Sequence, residues 1–229
     1  MTQPTYREYT LQSCPDDVGG TKYDLDYFAS NVTGDTWPIT TEETSDLIGH
    51  QVSINNNTAT DHSLKTAVIT GFFGIYPITE TINLPGGNLT TKSTKYFTKV
   101  VSVVPSATIG ADTMGIGICE VSSLPYILVN WRGSNMGIWT YINGTGTIDY
   151  TIQNSPSDPY PHVNYGRESV YEGIYDSLLW FDSSDNEVIN ATDDTLTNIQ
   201  EPPRVLRWVI NSYTSNPVLK ISTLQKDLH

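Results

Sequence analysis

The sequence predicts an all-β protein, an antiparallel β-sandwich of jelly-roll-like character. Short apolar runs alternate with polar residues at period two and stop at Gly, Pro, Asn or Asp, the mark of half-buried strands joined by turns. The polar share is carried by Thr, Ser and Asn, which suit strands and turns, and only 16% of residues are charged. Ala is scarce and helical periodicity is hard to find, which disfavours long helices. A chain of 229 residues is long enough for one large sandwich or for two small ones, and the pattern is compatible with two packed β units.

Residues 1–45 are the least regular part and read as an irregular N-terminal arm. Their Tyr6, Tyr9, Leu11, Tyr23, Leu25, Tyr27, Phe28 and Trp37 suggest a segment that packs on something, with a neighbouring subunit as the candidate. A first β unit, 46–120, holds strands at Leu47 to Ile54, Leu64 to Phe73, Ile75 to Leu84, Tyr96 to Val104 and Met114 to Ile118, parted by Asn55-Asn56-Asn57, Gly74, Pro85-Gly86-Gly87-Asn88 and Ser106 to Asp112. The pattern restarts after Val121-Ser122-Ser123-Leu124-Pro125, which places a boundary near residues 119 to 124.

The second β unit, 121–229, reads as strands at Tyr126 to Arg132, Ile138 to Ile142, Thr147 to Gln153, Val205 to Asn211 and Leu219 to Leu224. Thr192 to Gln200 fits either strand or loop. Pro202-Pro203 excludes helix before the last hairpin. Between strands lies a long loop, 154–175, with Pro156, Pro159 and Pro161 and the aromatic Tyr160, Tyr165, Tyr171 and Tyr175, a composition suited to contacts rather than to disordered linker.

Lys and Arg total 12 against 25 Asp and Glu, a formal net charge of -13. Binding to a nucleic-acid backbone needs a basic face, so no nucleic acid is expected as partner. No window approaches the run of apolar residues that spans a membrane, and the first residues lack a basic stretch followed by an apolar one, so neither a membrane nor a secretory signal is expected. Triplets of the form Asn-x-Ser/Thr start at Asn31, Asn56, Asn88, Asn143 and Asn190, but a Thr-rich chain produces these by chance. Cys14 and Cys119 lie far apart without ligand-like spacing and read as two buried thiols, with a disulfide as the alternative.

Common catalytic constellations are missing from the sequence. It has no Gly-x-Ser-x-Gly elbow, His-Glu-x-x-His pair, phosphate-binding loop or Cys-x-x-Cys. His50, His62, His162 and His229 never fall at the spacing that aims two imidazoles at one metal. Gly115-Ile116-Gly117 lacks the third glycine and the following helix of a dinucleotide site, and reads as a glycine-containing strand. Asp182, Asp185, Asn186 and Glu187 could offer oxygen ligands to Ca²⁺, but they do not follow the EF-hand pattern, and a solvated polar turn is the simpler reading. Glu42-Glu43 and Asp193-Asp194 are adjacent pairs expected on the surface rather than across a cleft. Trp131, Trp139 and Trp208 sit in strand-like runs, where core packing is favoured. No cofactor is expected.

Three ordered stretches carry a resemblance. The first runs from Ile78-Thr79-Glu80-Thr81-Ile82 through Gly86-Gly87 to Thr94-Lys95-Tyr96-Phe97-Thr98-Lys99-Val100-Val101-Ser102-Val103, closing at Gly115 and Gly117. The second is Gly144-Thr145-Gly146-Thr147-Ile148-Asp149-Tyr150-Thr151-Ile152-Gln153, followed by Asp158-Pro159 and Trp180-Phe181. The third is Pro203-Arg204-Val205-Leu206-Arg207-Trp208-Val209-Ile210-Asn211-Ser212-Tyr213-Thr214-Ser215, ending at Leu224-Gln225. Together they resemble a family of small virion structural proteins of tailed, podovirus-like bacteriophages. The N-terminal region and the loop from His162 to Tyr175 depart from that pattern.

The resemblance implies a β-sandwich subunit of the phage particle with no catalytic residues to carry over. Its partners would be other virion proteins (the major capsid protein, portal or neck proteins, or tail proteins) and copies of itself, in a virion assembled in the host cytoplasm. Acidic surface suits capsid decoration on the outside rather than a DNA-lining position. Two alternatives remain: a tail- or fibre-associated carbohydrate- or receptor-binding module, suggested by the Thr- and Tyr-rich strands and aromatic loop, and a hydrolase with an unrecognised carboxylate pair. The contact residues expected are Tyr6, Tyr9, Tyr23, Tyr27, Phe28 and Trp37 of the arm, and Tyr160, Tyr165, Tyr171 and Tyr175 of the loop.

Overall fold

The computed structural model describes residues 5–129, 135–156, 178–199 and 203–225. With 60% of the chain in strands and 2% in helix, the fold is all-β, and its antiparallel sheets pack as a β-sandwich. The chain divides into two compact units: Ser13–Ser122, continuous in sequence, and Met1–Gln12 together with Ser123–His229, split around it.

The continuous unit begins with the hairpin of β2 (Asp16–Val18) and β3 (Thr21–Val32), turned by Gly19 and Gly20 at positive φ. β3 pairs with β9 (Met114–Ser123), which also joins β4 (Gly49–Asn56), and β4 pairs with β7 (Thr90–Phe97). β5 (Thr66–Phe73) lies at the centre of a second sheet, between β6 (Tyr76–Asn83) and β8 (Lys99–Pro105). Phe28, Ile48, Ile54, Ile69, Phe73, Phe97, Met114 and Ile116 are fully buried and form its core.

Gly115 and Gly117 have a packing reason. A Cβ on Gly117 would stand 1.9 Å from Asp24 O, and one on Gly115 would stand 2.7 Å from Leu25 O. The β3–β9 register shifts between Asp24 and Ala29, so the bulged backbone of β3 presses directly on β9 where side chains are missing.

In the split unit, β1 (Thr5–Thr10) pairs with β16 (Val218–Gln225), β16 with β11 (Met136–Asn143), and β11 with β14 (Thr195–Ile199). Facing this four-stranded sheet are β12 (Ile148–Ser155), β13 (Phe181–Asp182), β10 (Ile127–Leu128) and β15 (Val205–Tyr213). Buried Trp208 and Tyr150 reach from the second sheet to the first. The Trp208 indole N–H donates to Thr140 Oγ1 at 3.1 Å, and the Tyr150 hydroxyl meets Thr195 Oγ1 at 2.7 Å. These two polar tips complete an otherwise apolar interior.

Residues 1–45 are not an irregular arm, since they carry β1, β2 and β3. β1 finds its ladder more than two hundred residues away, Thr5 opposite Thr223, so no local turn signals it. The alternation in β3 is broken by its register shifts. The single strand expected at Tyr96 to Val104 is two strands. Thr98 donates to Phe72 O through both its N–H (2.8 Å) and its hydroxyl (3.0 Å), and this bond separates β7, on β4, from β8, on β5. The Thr192 to Gln200 segment, readable as strand or loop, contains β14.

Candidate functional site

Side chains of the four-stranded sheet alternate between the core and the outside. In β11 the inward set is Met136, Ile138 and Thr140, and the outward set is Gly137, Trp139 and Tyr141. Thr140 wins an inward place because it accepts the buried Trp208 N–H. Trp139 is therefore left half-buried on the outer face, contrary to the expectation of a core tryptophan, whereas Trp208 is in the core as expected.

The ladders align three cross-sheet rows on that face. One row runs Tyr6, Ser222, Trp139, Leu196. Beside it lie Glu8, Lys220 and Tyr141, and on the other side Leu224, Gly137 and Asn198. Tyr141 and Leu196 are 57% and 62% exposed, so with Trp139 they place apolar surface side by side on this face. The indole of Trp139 lies down along its own strand: Cη2 and Cζ3 occupy the space above Gly137, 3.1 and 3.2 Å from where a Cβ would be. Next to the ring a hollow of about 600 Å³ opens, bounded by Asn135, Gly137, Trp139, Leu196, Thr197, Asn198 and Leu224. None of these is charged. The only charges in the three rows are Glu8 and Lys220, 3.5 Å apart. The Tyr6 hydroxyl donates to Glu8 Oε2 at 2.8 Å, which raises the Tyr6 phenol and lowers the Glu8 carboxyl from their ordinary values.

Of the expected contact residues, Tyr6 is exposed and Tyr9 half-buried, both on β1. Tyr23, Phe28 and Trp37 are buried in the continuous unit and hold its core together. Burial raises the Tyr23 phenol. Tyr27 is half-buried, its ring edge-on to Phe28 at 5.1 Å and its hydroxyl donating to Glu43 O at 2.8 Å. These rings do not gather into one surface. Tyr160, Tyr165, Tyr171 and Tyr175, like Trp131, lie outside the described residues.

The acidic turn is used internally. Asp185 Oδ1 accepts the Glu187 N–H at 3.0 Å, capping a single 3-10 turn at Asn186–Val188, and Oδ2 accepts the Thr197 hydroxyl. Asp182 accepts from Gln153 Nε2 at 2.9 Å, and Gln153 in turn accepts two bonds from Arg207, whose guanidinium lies 4.2 Å from the Trp180 ring. Among the described residues no group of three His, Cys, Asp or Glu side chains could hold a metal ion. His50 and His62 each meet one carboxylate, Asp46 and Asp112, at 2.9 Å. Cys14 and Cys119 are both buried free thiols, and burial raises the Cys119 thiol.

The sequence signal for the Trp139 face was a pair of aromatics at i and i+2, Trp139 and Tyr141, which a strand must place on the same side. It was obscured by Ile138 and Ile142, which make the run apolar at almost every position. No protein-family model matches the chain, and no curated protein is a significant relative in sequence.

Proposed function

We propose that the chain is a non-enzymatic structural subunit of a tailed-phage virion, acting through protein–protein contacts with capsid, neck or tail proteins and with its own copies. The observation that carries this reading is the outer face of the β6-β5-β8 sheet. Val68 stands between Thr81 and Val104, Thr70 between Thr79 and Ser102, and Phe72 between Pro77 and Lys99. Val101 is the extra residue where the β5–β8 register shifts, and its side chain also points out. The face is rich in β-branched residues and uncharged except at Lys99, which is tied to Glu42 and Glu43 at 2.8 and 3.3 Å. Val104 is 53% exposed there. The valines are already about half covered, so burying what is left of each against a neighbour is worth about 0.5–1.5 kcal/mol, a gain open to a subunit in a fixed assembly.

The flank of the same sheet is guarded, so contact is directed to the face. The Glu80 carboxylate accepts the Thr94 and Lys95 N–H groups, each at 2.8 Å, and the Thr94 hydroxyl at 2.9 Å. The resemblance of the three ordered stretches to phage virion proteins supports the setting. The net charge of -13 supports an outer position, away from packaged DNA.

The test is whether the chain is recovered in purified particles, by quantitative mass spectrometry and immunogold labelling. A Val68→Asp/Val104→Asp variant that keeps its melting temperature is expected to incorporate at least about tenfold less, as expected when charge is forced into a dry contact. Absence of the chain from particles, or unchanged incorporation of the variant, would overturn the reading.

A further inference from the structure

The hollow beside Trp139 is in the split unit, and nothing in the assembly role uses it. We infer that it is a binding site for a neutral pyranose sugar, as found at the ends or branches of surface glycans.

Three features set the chemistry. The first is a lying indole. Because Gly137 has no side chain, the Trp139 ring rests along the strand over its backbone instead of standing into solvent, and it presents an aromatic surface at the wall of an open hollow. The C–H face of a pyranose ring is an apolar plane of similar size, and it stacks on such a surface with little loss of freedom on the protein side. The second feature is the pair of amides. Asn135 and Asn198, both exposed, bound the same hollow. Each carries one acceptor and two donor hydrogens, the combination needed to meet vicinal hydroxyls that both give and take hydrogen bonds. The third is electrical neutrality. In a chain with a net charge of -13, the six side chains that bound the hollow among the described residues are all uncharged. An acidic sugar gains nothing from this wall, and a cationic ligand has no counter-charge in it.

Leu196 and Leu224 complete the wall with apolar surface. A volume of about 600 Å³ lies within the range of small-ligand sites and admits a short oligosaccharide. Tyr141, two residues beyond Trp139 and on the same face, stands roughly 7 Å further along the strand. That spacing lets it take a second sugar ring. The sugar is chosen because ring and amides bound one concave hollow, whereas a second copy of the chain or an apolar peptide would engage the exposed row as a whole.

The experiment uses the full chain and a panel of neutral oligosaccharides built from glucose, galactose, mannose and N-acetylhexosamines, each at up to about 10 mM, a range that reaches the weak affinities expected of one stacked ring. Saturation-transfer NMR identifies any bound sugar, and calorimetry measures its affinity. The expected result is binding of at least one member, lost at least tenfold in Trp139→Ala and weakened severalfold in Asn198→Ala and Asn135→Ala. Gly137→Val, which lifts the ring while keeping it, is expected to lose binding as well, and it replaces Trp139→Ala if that variant does not fold. Ser106→Ala, in the continuous unit, should bind as wild type.

No binding across the panel overturns the inference. So does binding that survives both Trp139→Ala and Gly137→Val. Sedimentation showing that the wild type self-associates and that Trp139→Ala makes it monomeric would assign the face to a second copy and overturn the inference too. Particle incorporation is read separately through Val68 and Val104, so failure here and failure of the virion reading are distinguishable.

Discussion

Trp208 and Thr140 lie on opposite sheets of the split unit and are joined by one hydrogen bond of 3.1 Å, fully buried at both ends. The indole N–H has no water to turn to. Thr140→Val keeps the shape and removes the acceptor, so it should cost about 1–3 kcal/mol, while Thr140→Ser should cost clearly less. Trp208→Ala adds a cavity and should cost about 3–5 kcal/mol. Urea unfolding followed by circular dichroism gives all three values.

A second buried bond anchors the continuous unit. His50 is fully buried, and both its ring nitrogens face acceptors: Nδ1 lies 2.7 Å from Cys119 O and Nε2 lies 2.9 Å from Asp46 Oδ2. Asp46→Ala leaves Nε2 facing nothing and is expected to cost about 1–3 kcal/mol. Asp46→Asn can still offer an N–H to that nitrogen and should be markedly milder. Equal losses in the two variants, by chemical denaturation, would show that the carboxylate itself is required and that an isosteric amide does not replace it.

The bulge of β3 on β9 leaves no space at Gly117. An alanine Cβ would stand 1.9 Å from Asp24 O and 2.6 Å from Leu25 C, both backbone atoms. Gly117→Ala should therefore destabilise by at least about 3 kcal/mol, near the upper end of overpacking effects, or prevent folding. The Gly110→Ala change meets open space but sits at a φ of +69°, so it should cost only the smaller strain of a left-handed alanine. Thermal melts of the two variants separate crowding from strain.

The Asp112 site should yield to acid only late, below the ordinary carboxyl range. The Thr60 hydroxyl and then His62 hold the Asp112 carboxyl below its usual range. A carboxyl lowered in the folded state contributes stability above its unfolded pKa, and that contribution is lost as pH falls through the folded value. Asp112→Asn lacks this contribution, so its melting temperature should lie below that of the wild type near neutral pH and converge toward it as pH drops to about 3. A constant gap across that range would rule out ionisation as the cause.

How much of this was readable beforehand depends on how local the partners are. β5 and β6 form a hairpin turned at Gly74, and both strands alternate clearly, so their existence followed from Leu64 to Leu84 alone. β15 and β16 were each legible from their own alternation, but the last hairpin expected between them does not form: β15 pairs with β12 and β16 with β11 and β1, so the turn near Ser215 and Asn216 carries the chain from one sheet to the other. β1 was not, because its partner is at the far end of the chain. β3 was not, because its bulges break the period. The candidate face was half legible: two aromatics at strand spacing were present, but the choice of which side of β11 faces the core depended on a buried indole sixty-eight residues away. Asn31, Asn88 and Asn190, which looked like chance modification triplets, take positive φ values of 49°, 52° and 52° and serve as left-handed turn residues.

The pairing of β1 with β16 also sets an order of events. Residues 5–10 are made some two hundred residues before their partners and have no ladder to join until residues 218–225 have been made. The continuous unit, Ser13–Ser122, has all its strands before β16 is made and can close while the later residues are still emerging. The split unit closes later, around a strand that has been waiting for its partner.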